Sequence, residues 1–306
     1  MPTWAGIAGD IEMTTARLRL AAMLLPALLV VGGVFGLGMF EVLRQSIGIG
    51  VPVPGEPASP TLSHYAALFH DREIGAAIGL TLWVASVSTA VSVVCGVGLA
   101  LALRRGRRAR RGVHTLLQAP LALPHLVVAL AAMTLLAQSG LLARAAFAIG
   151  LIDMPSGFPV MVNDRAGIGI IIAYAFKEVP FIALVATTLL ARRGEEYDEL
   201  ARTLGASPWQ RLRYVTWPFL APGVGAAALM IFAYVFSAFE TPFLLGQPYP
   251  AMLPVVAQQR FMSLDLGDRP AAMACALLLT AIAAVVVRVY LTAAGPAAGR
   301  DRPVLF

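Results

Sequence analysis

Charged groups stranded inside apolar sequence are the most chemically suggestive residues of this chain. Lys177 and Glu178 fall near the middle of the apolar run 167–191, and Glu240 falls in the outer part of the run 220–245. An ionised side chain at bilayer depth costs about 2.5 to 3.5 kcal/mol on insertion scales, so those that persist face a cavity or a partner. Adjacent helical positions point about 100° apart, so Lys177 and Glu178 cannot share one face squarely. One is expected to line a polar pathway while the other pairs with a neighbouring helix or a second subunit. Glu240, with Ser237 and Tyr234 at i−3 and i−6, marks a face suited to a cationic or hydroxylated solute. A carboxylate that merely balances Lys177 across a helix interface is the equally open alternative. His125, beside Pro124, reads first as a packing histidine and second as a solute contact.

Covalent chemistry has no footing in these residues. The phosphate-cradling pattern G-x-x-x-x-G-K-[ST] is absent, and Lys177, the only lysine, follows Ala175 and Phe176 rather than glycine. No serine-hydrolase G-x-S-x-G occurs. The histidines His64, His70, His114 and His125 share no metal-binding spacing, and Cys95 and Cys275 lie in apolar stretches without CxxC or CxxH. No enzyme active site, cofactor or metal site is expected.

The elements that must position these groups follow from composition. Of 306 residues 58% are hydrophobic and 13% charged, with a mean hydropathy of +0.77, whereas soluble domains carry about a quarter charged residues. A helix needs about 20 apolar residues to cross the hydrocarbon core. The runs 20–43, 76–103, 116–137, 167–191, 220–245 and 271–291 meet or nearly meet that length. The expected fold is an all-α membrane protein with six transmembrane helices. The first run is too long for a signal peptide and no small-residue cleavage pattern follows it promptly, so an uncleaved anchor is expected.

A net charge of +6 and a pI of about 9.8 would suggest nucleic acid in a soluble protein. Here the arginines sit in short loops between apolar runs, where they report topology instead. Arg104, Arg105, Arg107, Arg108, Arg110 and Arg111 hold the loop after the second run in the cytoplasm, and the other loops follow by alternation. Only Arg44, Arg72, Arg144, Arg165, Arg260 and Arg269 then fall on the outer side, in or beside the loops 44–75, 138–166 and 246–270. Both termini are expected to be cytoplasmic, in a multi-pass protein of the bacterial cytoplasmic (inner) membrane. The expected organisation is a tail over 1–16, a first helix and outer loop over 17–74, a core over 75–294 and a tail over 295–306.

Residues 195–218 are too polar to enter the bilayer. Acidic residues crowd the start of a first helix, where they suit the positive end of its dipole, and Leu200, Ala201 and Leu204 give it an apolar face. Gly205 stands where a left-handed cap is expected. Ser207 as N-cap, Pro208 at the first helical position and Gln210 three residues past the cap predict a second helix closed by a capping box. Pro218 and Pro222 are expected to end that helix and turn the chain back into the membrane. Helix, glycine turn, helix is also a DNA-binding pattern. A segment pinned at both ends by membrane spans is badly placed for that use, and no nucleic-acid partner is expected.

These residues resemble the inner-membrane permeases of binding-protein-dependent ABC importers. The EAA loop of that family reads E-A-A, three residues, G, nine residues, I-x-L-P. Here Glu199-Leu200-Ala201 is followed, with both spacings matched, by Gly205 and by Val215-Thr216-Trp217-Pro218. Leu200 and Trp217 replace the usual Ala and Leu and keep their apolar character. Pro120, Pro124, Pro180-Phe181, Phe239-Glu240-Thr241-Pro242 and Leu244-Leu245-Gly246 resemble most closely the polyamine, thiamine, ferric-iron and phosphonate branch. The resemblance covers roughly 75–291.

The resemblance implies the type I importer permease fold, with 195–218 as the coupling segment that docks into a groove of a separate ATPase. It implies that Glu199, Ala201, Gly205, Ala206, Ser207, Pro208, Trp209 and Arg211 are contact and pivot residues. It further implies two ATPase subunits per complex, a second permease that is identical or related, an extracytoplasmic solute-binding protein, a small-molecule solute and surrounding lipid. Lys177, Glu178, Ser237, Glu240 and His125 would then be the translocation-pathway candidates. A polyamine is the favoured solute, with a sugar, a phosphonate, thiamine or an iron complex open. An ion-gradient-driven secondary transporter is the alternative, but it offers no reason for the capped two-helix loop.

Overall fold

The computed structural model describes residues 4–50, 60–104, 110–191 and 195–298. Its helices are α1 Trp4–Ser46, α2 Ser63–His70, α3 Arg72–Arg104, α4 Arg110–Ala122, α5 His125–Leu136, α6 Leu141–Ala148, α7 Ile168–Leu189 and α8 Glu195–Thr203. They continue with α9 Pro208–Arg211, α10 Trp217–Ser237, α11 Glu240–Leu245, α12 Leu253–Phe261 and α13 Asp268–Ala298. Six stretches of the described residues are long and apolar enough to cross a membrane. The arginine run 105–109 and the tails 1–3 and 299–306, for which a cytoplasmic placement is expected, lie outside the described residues.

The core is built on α3 against α7, the most extensive helix pair in the fold. Ala77, Thr81, Ala85, Ser88, Ser92, Gly96 and Ala100 recur at helical spacing along α3 and are all buried. Small residues let membrane helices approach closely, where van der Waals packing must replace the hydrophobic effect that lipid does not supply. The two helices come close at Gly96, where a Cβ would lie 2.6 Å from the Cβ of Ile182 and 2.9 Å from the carbonyl of Val179. Helix α10 packs on both α3 and α7, and α13 packs on α12, α1 and α10. Helix α1 packs chiefly on α13, and none of its most apolar stretch is buried within this chain.

Backbone ends inside the fold are satisfied by nearby groups. The Asp164 carboxylate accepts hydrogen bonds from the N–H groups of Ala166, Ile168 and Gly169 at 2.9, 3.0 and 3.4 Å, and so closes the start of α7. Thr81 Oγ1 accepts from the Leu253 N–H at 2.9 Å and ties the start of α12 to α3. Arg260 on α12 donates to Asp71, just before α3, at 2.8 Å, and this pairing holds the Asp71 carboxyl below the ordinary carboxylate range.

Three expected boundaries are corrected. The third run does not cross as one helix over 116–137: α4 ends at Ala122, Pro124 leads into α5, and the apolar stretch is His125–Ala148. A proline lacks the N–H that would continue the ladder and pushes its predecessor out of the helical region. The fifth run also breaks, because Ala238 is extended (φ −70°, ψ 137°) and Glu240 opens the separate α11. Pro218 and Pro222, in contrast, end nothing. The chain runs as continuous helix from α9 through a π turn at Leu212–Thr216 into α10, with Pro218 in its first turn and Pro222 inside it. The Trp217 N–H reaches back to the Leu212 carbonyl, a five-residue step, and the wider turn makes room for the ring of Pro218.

Gly96→Ala should lower the melting temperature of the detergent-purified protein, with a cost of about 1–3 kcal/mol from overpacking. Gly98→Ala, whose Cβ meets nothing within 4 Å, should leave the melting temperature unlowered or raise it slightly, through the better helix propensity of alanine.

Candidate functional site

Two groups of residues stand out, one at the arginine-rich end of the bundle and one within it. At that end α8 is closed as its sequence predicts. Gly205 adopts φ +81°. The Ala206 N–H bonds the Ala201 carbonyl at 3.0 Å and the Gly205 N–H bonds the Arg202 carbonyl at 3.0 Å, the paired bonds of a Schellman cap. A Cβ on Gly205 would meet nothing within 4 Å, so backbone conformation, not crowding, demands glycine there. Ser207 then starts α9 with a complete capping box. Gln210 N–H donates to Ser207 Oγ at 3.3 Å and Ser207 N–H donates to Gln210 Oε1 at 2.8 Å, with Pro208 at the first position.

Two capped ends facing each other across one glycine fix the angle between α8 and α9. That rigid corner presents its apolar side outward. Leu200, Leu204 and Trp209 are exposed, Trp209 to 66%, and Tyr197 and Tyr214 flank them. Glu199, Ser207 and Pro208 are exposed, while Ala201 and Ala206 are half-buried at the corner. Arg211 points elsewhere. Its Nη1 donates to Asp198 Oδ2 at 3.0 Å, and Arg104 at the end of α3 reaches the same oxygen at 3.5 Å. Asp198 and Arg104 are partners that sequence spacing does not disclose.

Within the bundle, His125, Lys177 and Glu178 converge. Lys177 is buried, donates to the Leu123 carbonyl and lies 3.4 Å from His125 Nδ1. His125 Nε2 lies 3.4 Å from Glu178 Oε1. An ammonium can only donate, so Nδ1 is the acceptor and a neutral ring carries its proton on Nε2, toward Glu178. The Leu123 carbonyl lies at the break before Pro124, and Lys177 therefore serves the frayed end of α4. Lys177 and Glu178 point different ways, as expected, yet both reach the same histidine.

Aromatic rings close this cluster. Tyr234 sits 4.5 Å from His125 between centroids and meets Tyr174 edge-on at 6.2 Å. Tyr174 is fully buried and Tyr234 partly exposed. Glu240 is exposed and, among the described residues, makes no hydrogen bond or ion pair. Ser237 bonds back to the Ala233 carbonyl at 2.9 Å at the end of α10, and the break at Ala238 removes the single helical face on which Ser237 and Glu240 were expected together. Tyr174 was missed as a site residue although it stands four residues before Glu178, a spacing that places both on one side of α7.

Residues 92–298 match the family model described as binding-protein-dependent transport system inner membrane component. The chain belongs to this family. It is 32% identical over 241 residues to the inner membrane ABC transporter permease protein YnjC of Escherichia coli, covering 76% of this chain and 44% of YnjC. It is 28% identical over 212 residues to the molybdenum transport system permease protein ModB of Mycobacterium bovis, covering 69% of this chain and 76% of ModB. In three dimensions it aligns with a bacterial ABC transporter involved in import of the acidic polysaccharide alginate, at a TM-score of 0.74 and 20% identity, covering 95% of this chain and 98% of that one. The same kind of fold occurs in a complex of that transporter with an alginate pentasaccharide-bound periplasmic protein, at a TM-score of 0.73 and 20% identity, covering 92% of this chain and 96% of that one. This member of the family is the permease subunit of an ABC importer, a multi-pass inner-membrane protein and not an enzyme.

Lys177→Met should destabilise the permease by about 3–5 kcal/mol, because it leaves Glu178 in the bundle without the cation that reaches it through His125. The double variant Lys177→Met/Glu178→Gln should recover the electrostatic part of that loss in detergent melting curves, but not the part owed to the Leu123 carbonyl left without its donor.

Proposed function

We propose that the corner formed by α8 and α9 receives the motion of separate ATPase subunits, two per complex, and delivers it to the permease core. The observation that carries this reading is the outward apolar patch of Leu200, Leu204 and Trp209 on a doubly capped, rigid corner. An exposed patch of this kind on a well-formed element is suited to a partner surface. The arginine distribution supports placing this corner and both termini in the cytoplasm. Glu199, Ser207 and Pro208 border the patch and are assigned to docking, while Gly205, Ala201 and Ala206 hold the pivot. A second permease, identical or related, covers the exposed inner faces, and an extracytoplasmic binding protein delivers solute to the opposite end. Closure of the ATPase pair pushes on the corner, and α7 and α10, which leave it on either side, turn that push into alternating access.

The solute on this reading is a small organic cation of the polyamine kind, transported along a path bordered by His125, Glu178, Tyr234, Ser237 and Glu240. Lys177 is withdrawn onto a carbonyl and offers no charge to the path. Glu240 is exposed, and the exposed ring of Tyr234 on the preceding helix suits an ammonium group through cation–π attraction.

Gly205→Asp should leave the subunit inserted and associated but sever ATP hydrolysis from uptake, measured side by side in proteoliposomes. Uptake at the wild-type level would contradict the docking role. With spermidine as the probe, Glu240→Gln should raise the KM for uptake about tenfold, the factor given by loss of about 1.4 kcal/mol. Failure of the wild-type complex to move spermidine would overturn the cation assignment.

A further inference from the structure

The coupling corner has a covalent route to α7 and α10 but none to α3, although α3 is the helix on which both are packed. Two ion pairs that bridge this gap meet at one carboxylate. Asp198 Oδ2 accepts from Arg211 Nη1 at 3.0 Å and lies 3.5 Å from Arg104 Nη2. All three side chains are about four-fifths covered, with exposures of 20% for Arg104, 20% for Asp198 and 21% for Arg211. They come from three elements: the end of α3, the first helix of the corner and the second.

We infer that Asp198 is a positioning residue that clamps the coupling corner to the end of α3, so that displacement of the corner moves span two together with spans four and five. This rests on the reading of the corner as the ATPase-coupling site and adds a third helix to the load path. Arg211 belongs to this clamp instead of the docking patch, since its guanidinium faces inward. Covered carboxylate–guanidinium pairs keep their geometry better than exposed ones, because less water competes for the same donors. Two arginines on one carboxylate also hold it from two directions, which resists rotation of α8 about the glycine turn. Through the close contact at Gly96, movement of α3 would in turn be passed to the middle of α7.

Cys95 provides a native reporter, since it is exposed on α3 nine residues before Arg104, while Cys275 is buried. The complex that co-purifies with tagged permease, carrying Cys275→Ser, is placed in lipid nanodiscs and treated with N-ethylmaleimide with and without ATP plus vanadate. Modification of Cys95 is followed by mass spectrometry of this chain. In the wild type its rate should change about fivefold or more on trapping, the lower end of typical coupling factors. Asp198→Asn and Arg104→Gln should each shrink that change to less than about twofold, with Asp198→Glu restoring it. Nucleotide retained by the Arg104→Gln complex should match the wild type, which separates loss of transmission from loss of docking. A full nucleotide-dependent change in both variants, or a wild-type Cys95 rate indifferent to trapping, overturns the inference. Absence of any trapped nucleotide in the wild-type complex instead sinks the docking reading, and this inference with it.

Discussion

Close contact between α3 and α7 is the constraint on which the rest of this permease depends. Lipid tails are as apolar as leucine, so the two helices gain from meeting only by packing atoms more tightly than lipid would. The small-residue line from Ala77 to Ala100 permits that, with Gly96 set directly against Ile182. Helix α10 then finds a surface formed jointly by α3 and α7, and the polar corner between α7 and α10 is held at a defined place beneath them. Were α3 further away, Arg104 could not reach Asp198, and Thr81 could not cap the start of α12.

A second theme is irregular backbone at membrane depth. Breaks at Leu123–Pro124 and at Ala238 free polar groups in a region where water is scarce, and such groups are tolerated only when protein or a cavity satisfies them. At the first break a buried lysine does so, which gives Lys177 a structural duty in addition to its charge. The second break turns Glu240 out of the α10 helix and leaves its side chain exposed at the start of α11. The same residue types that sequence reading marks as pathway candidates thus divide. Lys177 is consumed by the fold, whereas Glu240 stays exposed. His125 lies between these roles, one nitrogen turned to Lys177 and the other to Glu178.

Local signals carried unusually far in the loop 195–218. Gly205, Ser207, Pro208 and Gln210 act within a few residues of themselves, through backbone handedness and short-range hydrogen bonds, so their cap and capping box could be read directly from spacing. Pro218 shows the limit of such reading. A proline can end a helix or sit within its first turn, and the wider π turn before it, not the proline itself, decides that the helix continues. The apolar run 116–137 likewise begins before the crossing stretch His125–Ala148, because hydropathy cannot tell a crossing helix from an apolar segment that packs along one.

By itself the sequence determined six apolar spans, the polar corner with its glycine cap, and the family resemblance, since all of these follow from composition, short spacing and charge placement. Tertiary structure alone decided that Lys177, His125 and Glu178 meet, that Tyr174 and Tyr234 wall them in, and that Asp198 joins Arg104 to Arg211. Those contacts join residues from 13 to more than 90 positions apart. No local periodicity encodes such distances; they arise only when close helix packing brings separate spans to the same depth.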